Sequence, residues 1–553
     1  MTKTSMTRAV RLSHPLLPED VQERFRREGH WEGRTLPEIV AHHVEQDPDA
    51  LAIAGPASMS YGELWNRSRR LAGGLAEAGL RPGDCLVAVL DNTWQGVVLE
   101  LAAATAGLVY APRSMHLSAT LLQNLVEQLD AKGLVLQAEL LDKPDWADIW
   151  NAGAESMAGR RFVVNSEADV VGSSTQVEAL MDEGPLAPPV EVDPLAPCLV
   201  LATGGTTGVP KSILHCAETL LYAVRHFGTA FGLSADDTFV AFAPYGHAGG
   251  SVFDIYMPLY HGASILPIAR WQARDVADRI GRWGGNFFIG MGTHLYDLLA
   301  LDPPPTQQLS SVRRIVAGAG PDTLFIDTQE RFGVEVCRVY GCSECPGHAV
   351  GRAEDPDEIR LHQDGVLFPG IEHRLLDVSG APVAPGVAGE YQCRGPNLFM
   401  GYAGHPELTS EAVTEDGFYR SGDLLVQSTD GYLSWAGRTK DIIRRGGLQI
   451  DPLEIENLLM RRDDIAAAVV VGQSDDRLGE RAVVVSVSKG PVRPSLEELC
   501  DHLQDCGIPK ANLPERLVWA KTLERTAVGK FHRVEIRRQL EDLAVDATTL
   551  DSK

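Results

Sequence analysis

Positive charge is scarce in this chain: 50 lysines and arginines face 75 aspartates and glutamates, a formal net charge of −25. Such a surface repels nucleic acid and anionic membranes, so a bound polyanion must be held locally by backbone N–H groups, a metal ion or a few lysines. Long apolar runs are missing too. The opening MTKTSMTRAVRLSHPLLPEDVQERFRREGH has no continuous apolar stretch of signal-peptide length, and no later run approaches a membrane span. The expectation is a cytoplasmic protein with no nucleic-acid and no membrane partner. Cysteine is sparse and odd in number, nine in 553 residues, which argues for free thiols and against a disulfide framework. Cys342 and Cys345 form a C-x-x-C, but no second pair or nearby histidine cluster completes a zinc site, so the spacing reads as accidental.

Apolar residues at 44% and charged residues at 23% are ordinary for a globular protein. At one domain per roughly 150 residues the length calls for several folding units. From about residue 37 to residue 268, helical stretches such as ELWNRSRRLAGGLAEAG alternate with short β-rich runs such as CLVAVL and GLVYAP, and NFFIGMG and RRIVAGAG continue the pattern. This alternation predicts an α/β fold of parallel sheets flanked by helices. The last hundred or so residues read as a separate small α+β unit: a helix through LEIENLLM, strands AAAVVVG and RAVVVSVS, and a helix in SLEELCDHLQDC, with the boundary near Lys440.

Residues 201–212 read LATGGTTGVPKS. Such a loop can turn several backbone N–H groups inward, because glycine accepts positive φ and no Cβ blocks a ligand. Threonine hydroxyls and the Lys211 ammonium add donors, so the natural guest is a polyphosphate. PCLVLA before it predicts a buried strand and SILHCAETLLYAVRHF after it has helical spacing, which puts the loop between a strand and a helix. It is not a Walker loop, since Pro210 stands where that pattern needs glycine. Taken alone, the loop is equally consistent with a flexible glycine turn.

Four more segments follow in order: VYGCSE at 339–344, YRSGDL at 419–424, GRTKDIIRRGG at 437–447 and RTAVGKFHR at 525–533. Each is weak by itself. Together with the loop, in this order and approximate spacing, they resemble the acyl-adenylate-forming superfamily of acyl-CoA synthetases, adenylation domains and luciferases. The resemblance implies a large N-terminal domain of helix-flanked sheets with a distorted barrel, residues 1–439, and a small mobile C-terminal α+β domain, residues 440–553, with the hinge at Lys440.

It also implies site residues. Thr203, Gly205, Thr206, Thr207, Gly208 and Lys211 match the loop over the ATP phosphates, with Gly204 in place of the usual serine and Ser212 in place of the usual glycine. Glu344 matches the acid that holds Mg2+, a hard cation that takes oxygen ligands beside phosphate. Tyr340, Gly341 and Ser343 accompany it in the nucleotide site. Asp423 matches the carboxylate that accepts both ribose hydroxyls, and Arg438 a residue on ribose or phosphate. Gly318 and Ala319 match the strand end lining the adenine and acyl sites. Lys530 matches the lysine that reaches the acyl carboxylate and the α-phosphate, and it joins His247, Thr206 and Glu344 as the expected catalytic set. Gly446 and Gly447 match the CoA tunnel.

The implied reaction has two steps. A carboxylate attacks ATP to give an acyl-adenylate and pyrophosphate, and a thiol then displaces AMP. The N-terminal PEDVQERFRREGHWEGRTLPEIV is similar to the opening of aryl-acid and cyclic-acid activating members. In APYGHAGGSVFDI, Ala248 follows His247 where siderophore ligases carry asparagine. The acyl wall is expected to comprise Tyr245, Gly246, His247, Gly249, Gly250, Ser251, Gly292, Gly318 and Cys342, and its small residues suggest a bulky ring acid, bicyclic or cyclohexane-like. GGLQIDPLEIE resembles the CoA-ligase form, so CoA is the favoured co-substrate beside ATP and the carboxylic acid. A carrier-protein phosphopantetheine and a non-catalytic acyl-adenylate-binding protein are the alternatives, and a homodimer is left open.

Overall fold

The structure is a computed structural model that describes residues 14–152, 160–165, 175–202, 211–318, 320–445, 448–475, 477–525, 531–541, 543 and 549–550. Thr203, Gly205, Thr206, Thr207, Gly208, Ala319, Gly446, Gly447 and Lys530 lie outside the described residues. Among the described residues no helix is long and apolar enough to cross a membrane.

The βα alternation builds two large sheets. In the first, strands Cys85–Val89, Val109–Arg113 and Gly133–Gln137 run parallel at the centre, and Pro197–Ala202 pairs parallel to Val109–Arg113. In the second, Phe287–Met291, Arg314–Gly318 and Glu335–Cys342 run parallel in sequence order, with Thr238–Ala241 beside Phe287–Met291. These short strands are Val-, Ile- and Phe-rich and buried on both faces, as parallel strands covered by helices must be. Helix Tyr61–Glu77 starts where Ser60 accepts from the Glu63 N–H and Glu63 reaches back to the Ser60 N–H, a reciprocal cap that satisfies two end donors.

A third, four-stranded antiparallel sheet of Glu372–Leu376, Gly389–Arg394, Tyr419–Gln427 and Leu433–Arg438 is open, so the expected distorted barrel is not closed. From Ile443 onward the buried apolar residues form two clusters of their own, separate from those of the preceding chain. They pack helices Pro452–Leu459 and Leu496–Asp505 on the antiparallel pair Ile465–Asp475 and Gly479–Ser488, the small α+β unit expected from sequence.

One local reading is corrected. Ser212–Cys216 is a strand, antiparallel to Pro197–Ala202, and the helix begins only at Ala217. The phosphate loop therefore joins two strands of a hairpin. Five apolar-rich residues with buried ends fit a strand as well as a first helical turn, and pairing with two neighbouring strands decides the matter.

Helix Trp94–Thr105 is buried on nearly every side and carries one acid, Glu100, 1% exposed. Burial pushes its carboxyl up to about 8, with the neighbouring Ser251 hydroxyl offsetting a little of the rise. In the unfolded chain the group titrates near its ordinary 4.5. Between those values the folded chain keeps a proton that the unfolded chain has released, so stability is full below pH 4.5 and falls as pH rises toward about 8. The slope is at most about 1.4 kcal/mol per pH unit. Glu100→Gln should therefore gain stability over the parent in urea unfolding at pH 8 and much less near pH 4.5. Equal differences at the two pH values would mean that the carboxyl is already ionised in the fold.

Candidate active site

Among the described site residues, Gly318 ends a parallel strand of a large sheet and Ser343 and Glu344 follow another, where α/β proteins bind ligands, whereas Lys211 precedes Ser212–Cys216 and Asp423 and Arg438 lie on the four-stranded sheet. The hairpin that carries the phosphate loop is braced from beneath. Arg113, 5% exposed, donates to the Val200 carbonyl at 2.9 Å and to its neighbour Pro112 at 2.7 Å. Burial pulls its guanidinium down to about 10, which leaves it charged at neutral pH. From the returning strand, His215 Nε2 meets the Ser343 carbonyl at 2.8 Å and ties the loop to the VYGCSE turn. Burial lowers this imidazole to about 4, so it is neutral and donates a single N–H there.

The VYGCSE turn closes a hairpin between Glu335–Cys342 and Cys345–Val350. Glu344 is 7% exposed, and its Oε1 accepts from the Tyr402 hydroxyl at 2.8 Å. Tyr402 arrives on strand Gly401–Tyr402, paired to Ser212–Cys216, and its ring lies 4.5 Å beneath the Lys211 ammonium. Lys211, Tyr402 and Glu344 thus form one chain from the end of the phosphate loop to the expected metal-holding acid. A carboxylate with an oxygen left beyond this bond fits Mg2+, which is usually bound by one or two carboxylates plus phosphate oxygens.

Asp423 is 3% exposed and held from two sides. The Tyr340 hydroxyl donates to Oδ2 at 2.9 Å and Arg438 Nε donates to Oδ1 at 2.9 Å. Arg438 is the cross-strand neighbour of Asp423, so the pair is dictated by the register of Tyr419–Gln427 on Leu433–Arg438. Lys440 has its surface open to solvent, yet partial desolvation and then the Arg438 charge lower its ammonium, with Lys211 adding a smaller push. Three cations and two buried carboxylates therefore converge in a chain that is strongly acidic elsewhere.

The acyl wall differs from expectation. Tyr245 turns into the core, with its hydroxyl donating to the Thr93 carbonyl at 3.1 Å. Gly246 has φ +88° and sits so close to Pro112 that a Cβ would lie 2.3 Å from its carbonyl oxygen. At Gly250 a Cβ would lie 2.4 Å from the Pro244 oxygen and 2.6 Å from that of Ala243. Ser251 is fully buried beside Glu100. These four serve close packing under the wall, because the segment is wound into a π-helix, Ala248–Tyr256, against the strand end. Gly292 is buried at the start of helix Gly292–Leu299. His247, Gly249, Gly318 and Cys342 stay partly open, and a Cβ on Gly341 would meet nothing closer than 3.7 Å.

Sequence reasoning also missed Arg113, His215 and Tyr402, whose roles come from strand pairing and leave no motif. The accidental reading of the C-x-x-C is overturned in part. Cys342 and Cys345 face each other across the hairpin, and His348 and Cys393 join Cys345 in a buried cluster. Cys342, Cys345 and His348 follow one another at three-residue spacing on one hairpin, and the meeting of two sheets adds the distant Cys393.

Gly250→Ala should cost about 1–3 kcal/mol by overpacking. It should lower kcat/KM for a small and a bicyclic acid by the same factor. Loss confined to the bicyclic acid would return Gly250 to the pocket wall.

An AMP-binding enzyme family model matches residues 40–403, and an AMP-binding enzyme C-terminal domain model matches residues 454–530. The chain is 29% identical to a medium-chain fatty-acid–CoA ligase of Escherichia coli (strain K12), over 94% of this chain and 93% of that protein. It is likewise 29% identical to a 2-hydroxy-7-methoxy-5-methyl-1-naphthoate–CoA ligase of Streptomyces carzinostaticus, over 94% and 96%. Its fold matches that of ATP-bound MatB from Rhodopseudomonas palustris with a TM-score of 0.83 at 23% identity, covering 92% of this chain and 99% of that one. With two thirds of its length spanned by the family, the chain belongs to the AMP-binding enzymes and is an acid–thiol ligase.

Proposed function

We propose that this enzyme joins a bulky aromatic or cyclic carboxylic acid to CoA through an acyl-adenylate, releasing AMP and pyrophosphate. The observation that carries the adenylate step is the Asp423 carboxylate, buried yet held by Tyr340 and Arg438, within reach of the charges on Lys211 and Lys440. Each carboxylate oxygen has two acceptor sites and gives one to the protein, so both can still take a ribose hydroxyl. The substrate carboxylate forms the new bond to the α-phosphorus as the bond to pyrophosphate breaks. Lys211 and the loop N–H groups neutralise charge that moves onto the leaving phosphates, so positioning and electrostatics do most of the catalysis. Bound at Glu344, Mg2+ would supply further charge to those oxygens. A thiol sulfur then bonds to the acyl carbon, and AMP leaves with the electron pair of the anhydride bond.

Lys530 is the proposed cation between carboxylate and α-phosphate. Support comes from its flanks. Arg525 and Phe531 form an antiparallel bridge around residues 526–530, and the Arg525 guanidinium stands 3.9 Å from Asp297 on the helix that begins at Gly292. The root of the terminal loop thus meets helix Gly292–Leu299, whose first residue is expected on the acyl wall, and this supports the reading. We assign the domain boundary to Lys440, between residues 1–439 and 440–553, as the hinge for the change between half-reactions. Gly446 and Gly447 line the proposed thiol path. A ring acid is favoured by the open edge at Gly341 and by the naphthoate named for one relative.

Pyrophosphate release over a panel of ring and straight-chain acids, with thioester scored with and without CoA, tests this reading. Ring acids should lead the panel, and thioester should form only with CoA. Release without any CoA thioester would favour a carrier-protein phosphopantetheine as acceptor, and a straight-chain optimum would overturn the acid class.

Lys530→Ala should slow acyl-AMP formation about a hundred- to a thousandfold, the loss of roughly 2.7–4 kcal/mol expected for one preorganised charge partner. Supplied acyl-AMP and CoA should still give thioester at near the parent rate, because rotation about the hinge carries the lysine away. Comparable losses in both half-reactions would contradict the two-arrangement mechanism.

A further inference from the structure

Cys345 and His348 lie on strand Cys345–Val350 of a large sheet, and Cys393 lies on Gly389–Arg394 of the four-stranded sheet. Each is about 1% exposed. The two sulfurs are 3.7 Å apart, and one donor atom from each of the three residues falls within 4.8 Å of the others. A disulfide would need the sulfurs at about 2 Å. A tetrahedral zinc ion with Zn–S bonds of about 2.3 Å sets two sulfur ligands about 3.8 Å apart, which is the spacing found.

The imidazole is held on both sides. Tyr391 pairs with His348 Nε2, and the Asn397 amide stands 3.5 Å from Nδ1 while it donates to the Pro346 carbonyl at 2.8 Å. With a metal on Nδ1, the Nε2–H can donate to the Tyr391 hydroxyl, as a ligating histidine requires, whereas the Asn397 NH2 could not accept from Nδ1–H in the opposite arrangement. Cys342 faces Cys345 across the hairpin but stands outside the cluster of three donors, so it would have to move to supply a fourth. Two or three thiolates match a thiophilic divalent cation in charge and softness, and exclude the hard Mg2+ of the reaction.

We infer that Cys345, Cys393 and His348 form the core of a buried structural site for a zinc-like divalent cation that clamps the two sheets beneath the proposed nucleotide pocket. The clamp would act where it matters for that pocket. Glu344 lies between the two hairpin cysteines, and the Tyr340 ring, whose hydroxyl holds Asp423, is 5.9 Å from the His348 ring.

The test uses the full-length protein. Titration with Zn2+ against a chromophoric chelator should give one tight site, retained in Cys506→Ser, which removes the exposed thiol beside His502. Cys345→Ser with Cys393→Ser should weaken that site by about a hundredfold or more. Should the double variant not fold, the parent alone decides. X-ray absorption at the zinc edge should show two or three sulfur ligands and one nitrogen, and Co2+ in place of zinc should show thiolate-to-cobalt charge-transfer bands. Lack of tight binding, a shell of nitrogen and oxygen only, or a Cys345–Cys393 disulfide in the metal-free protein would overturn the inference.

Discussion

Asp423 sits almost wholly out of water, and its charge is tolerable only because Arg438 and Tyr340 reach it from two different sheets. A buried carboxylate stripped of its partners costs several kcal/mol, so the arrangement around it is constrained well beyond the two hydrogen bonds. Arg438 must stay in register opposite Asp423, which fixes the last hairpin of the large domain. Tyr340 must end its strand at the right height, which fixes the neighbouring turn with Glu344. Those demands pull the four-stranded sheet against the large one and place Lys440, two residues beyond Arg438, at the edge of the nucleotide site. The point where the chain passes to the C-terminal unit is thus coupled to the residues that would hold the nucleotide.

The same economy governs the small residues. Glycine at 246 and 250 lets backbone approach backbone, and a single methyl group there would overlap a carbonyl oxygen. At Gly341 a built Cβ would meet nothing closer than 3.7 Å, so the space beside it is open to a ligand or a larger side chain, whereas at Gly318 the Val339 carbonyl oxygen stands only 3.3 Å away. A run of glycines in sequence therefore carries two meanings, and volume arguments for a substrate hold only for the second kind. In this chain the open position lies on a strand that ends at the nucleotide site, and the closed ones lie in the turn that supports His247.

Much of the fold was legible because it depends on local pattern. The alternation of helical and β-rich runs marked the parallel strands, and the motifs located Lys211, Glu344, Asp423 and Arg438, all of which converge in space. What escaped was set by pairing across long separations. Ser212–Cys216 is a strand because two neighbours bind it, a fact invisible in five residues. His215 and Ser343, or Cys345 and Cys393, have no reason to be linked until two sheets meet. Arg113 follows the apolar run GLVYAP with no motif to mark it, and only its bond to the Val200 carbonyl in the folded chain gives it a role.

Both halves of the chain contribute to the chemistry through contacts made at their edges. Arg525 approaches Asp297, whose other oxygen accepts from the Trp271 indole, and the Trp271 ring packs 4.5 Å from His294. Burial and then the Arg525 charge lower that imidazole to about 4, which keeps it neutral where a cation would compete with Arg525. The ion pair itself is long and partly exposed, and such pairs contribute little to stability. A weak contact at this place suits the proposed rotation between half-reactions, since a strong one would trap the arrangement it favours. Tight, buried pairing is instead kept within each unit, at Asp423 with Arg438 in the large domain and at Glu456 with Arg533 in the small one.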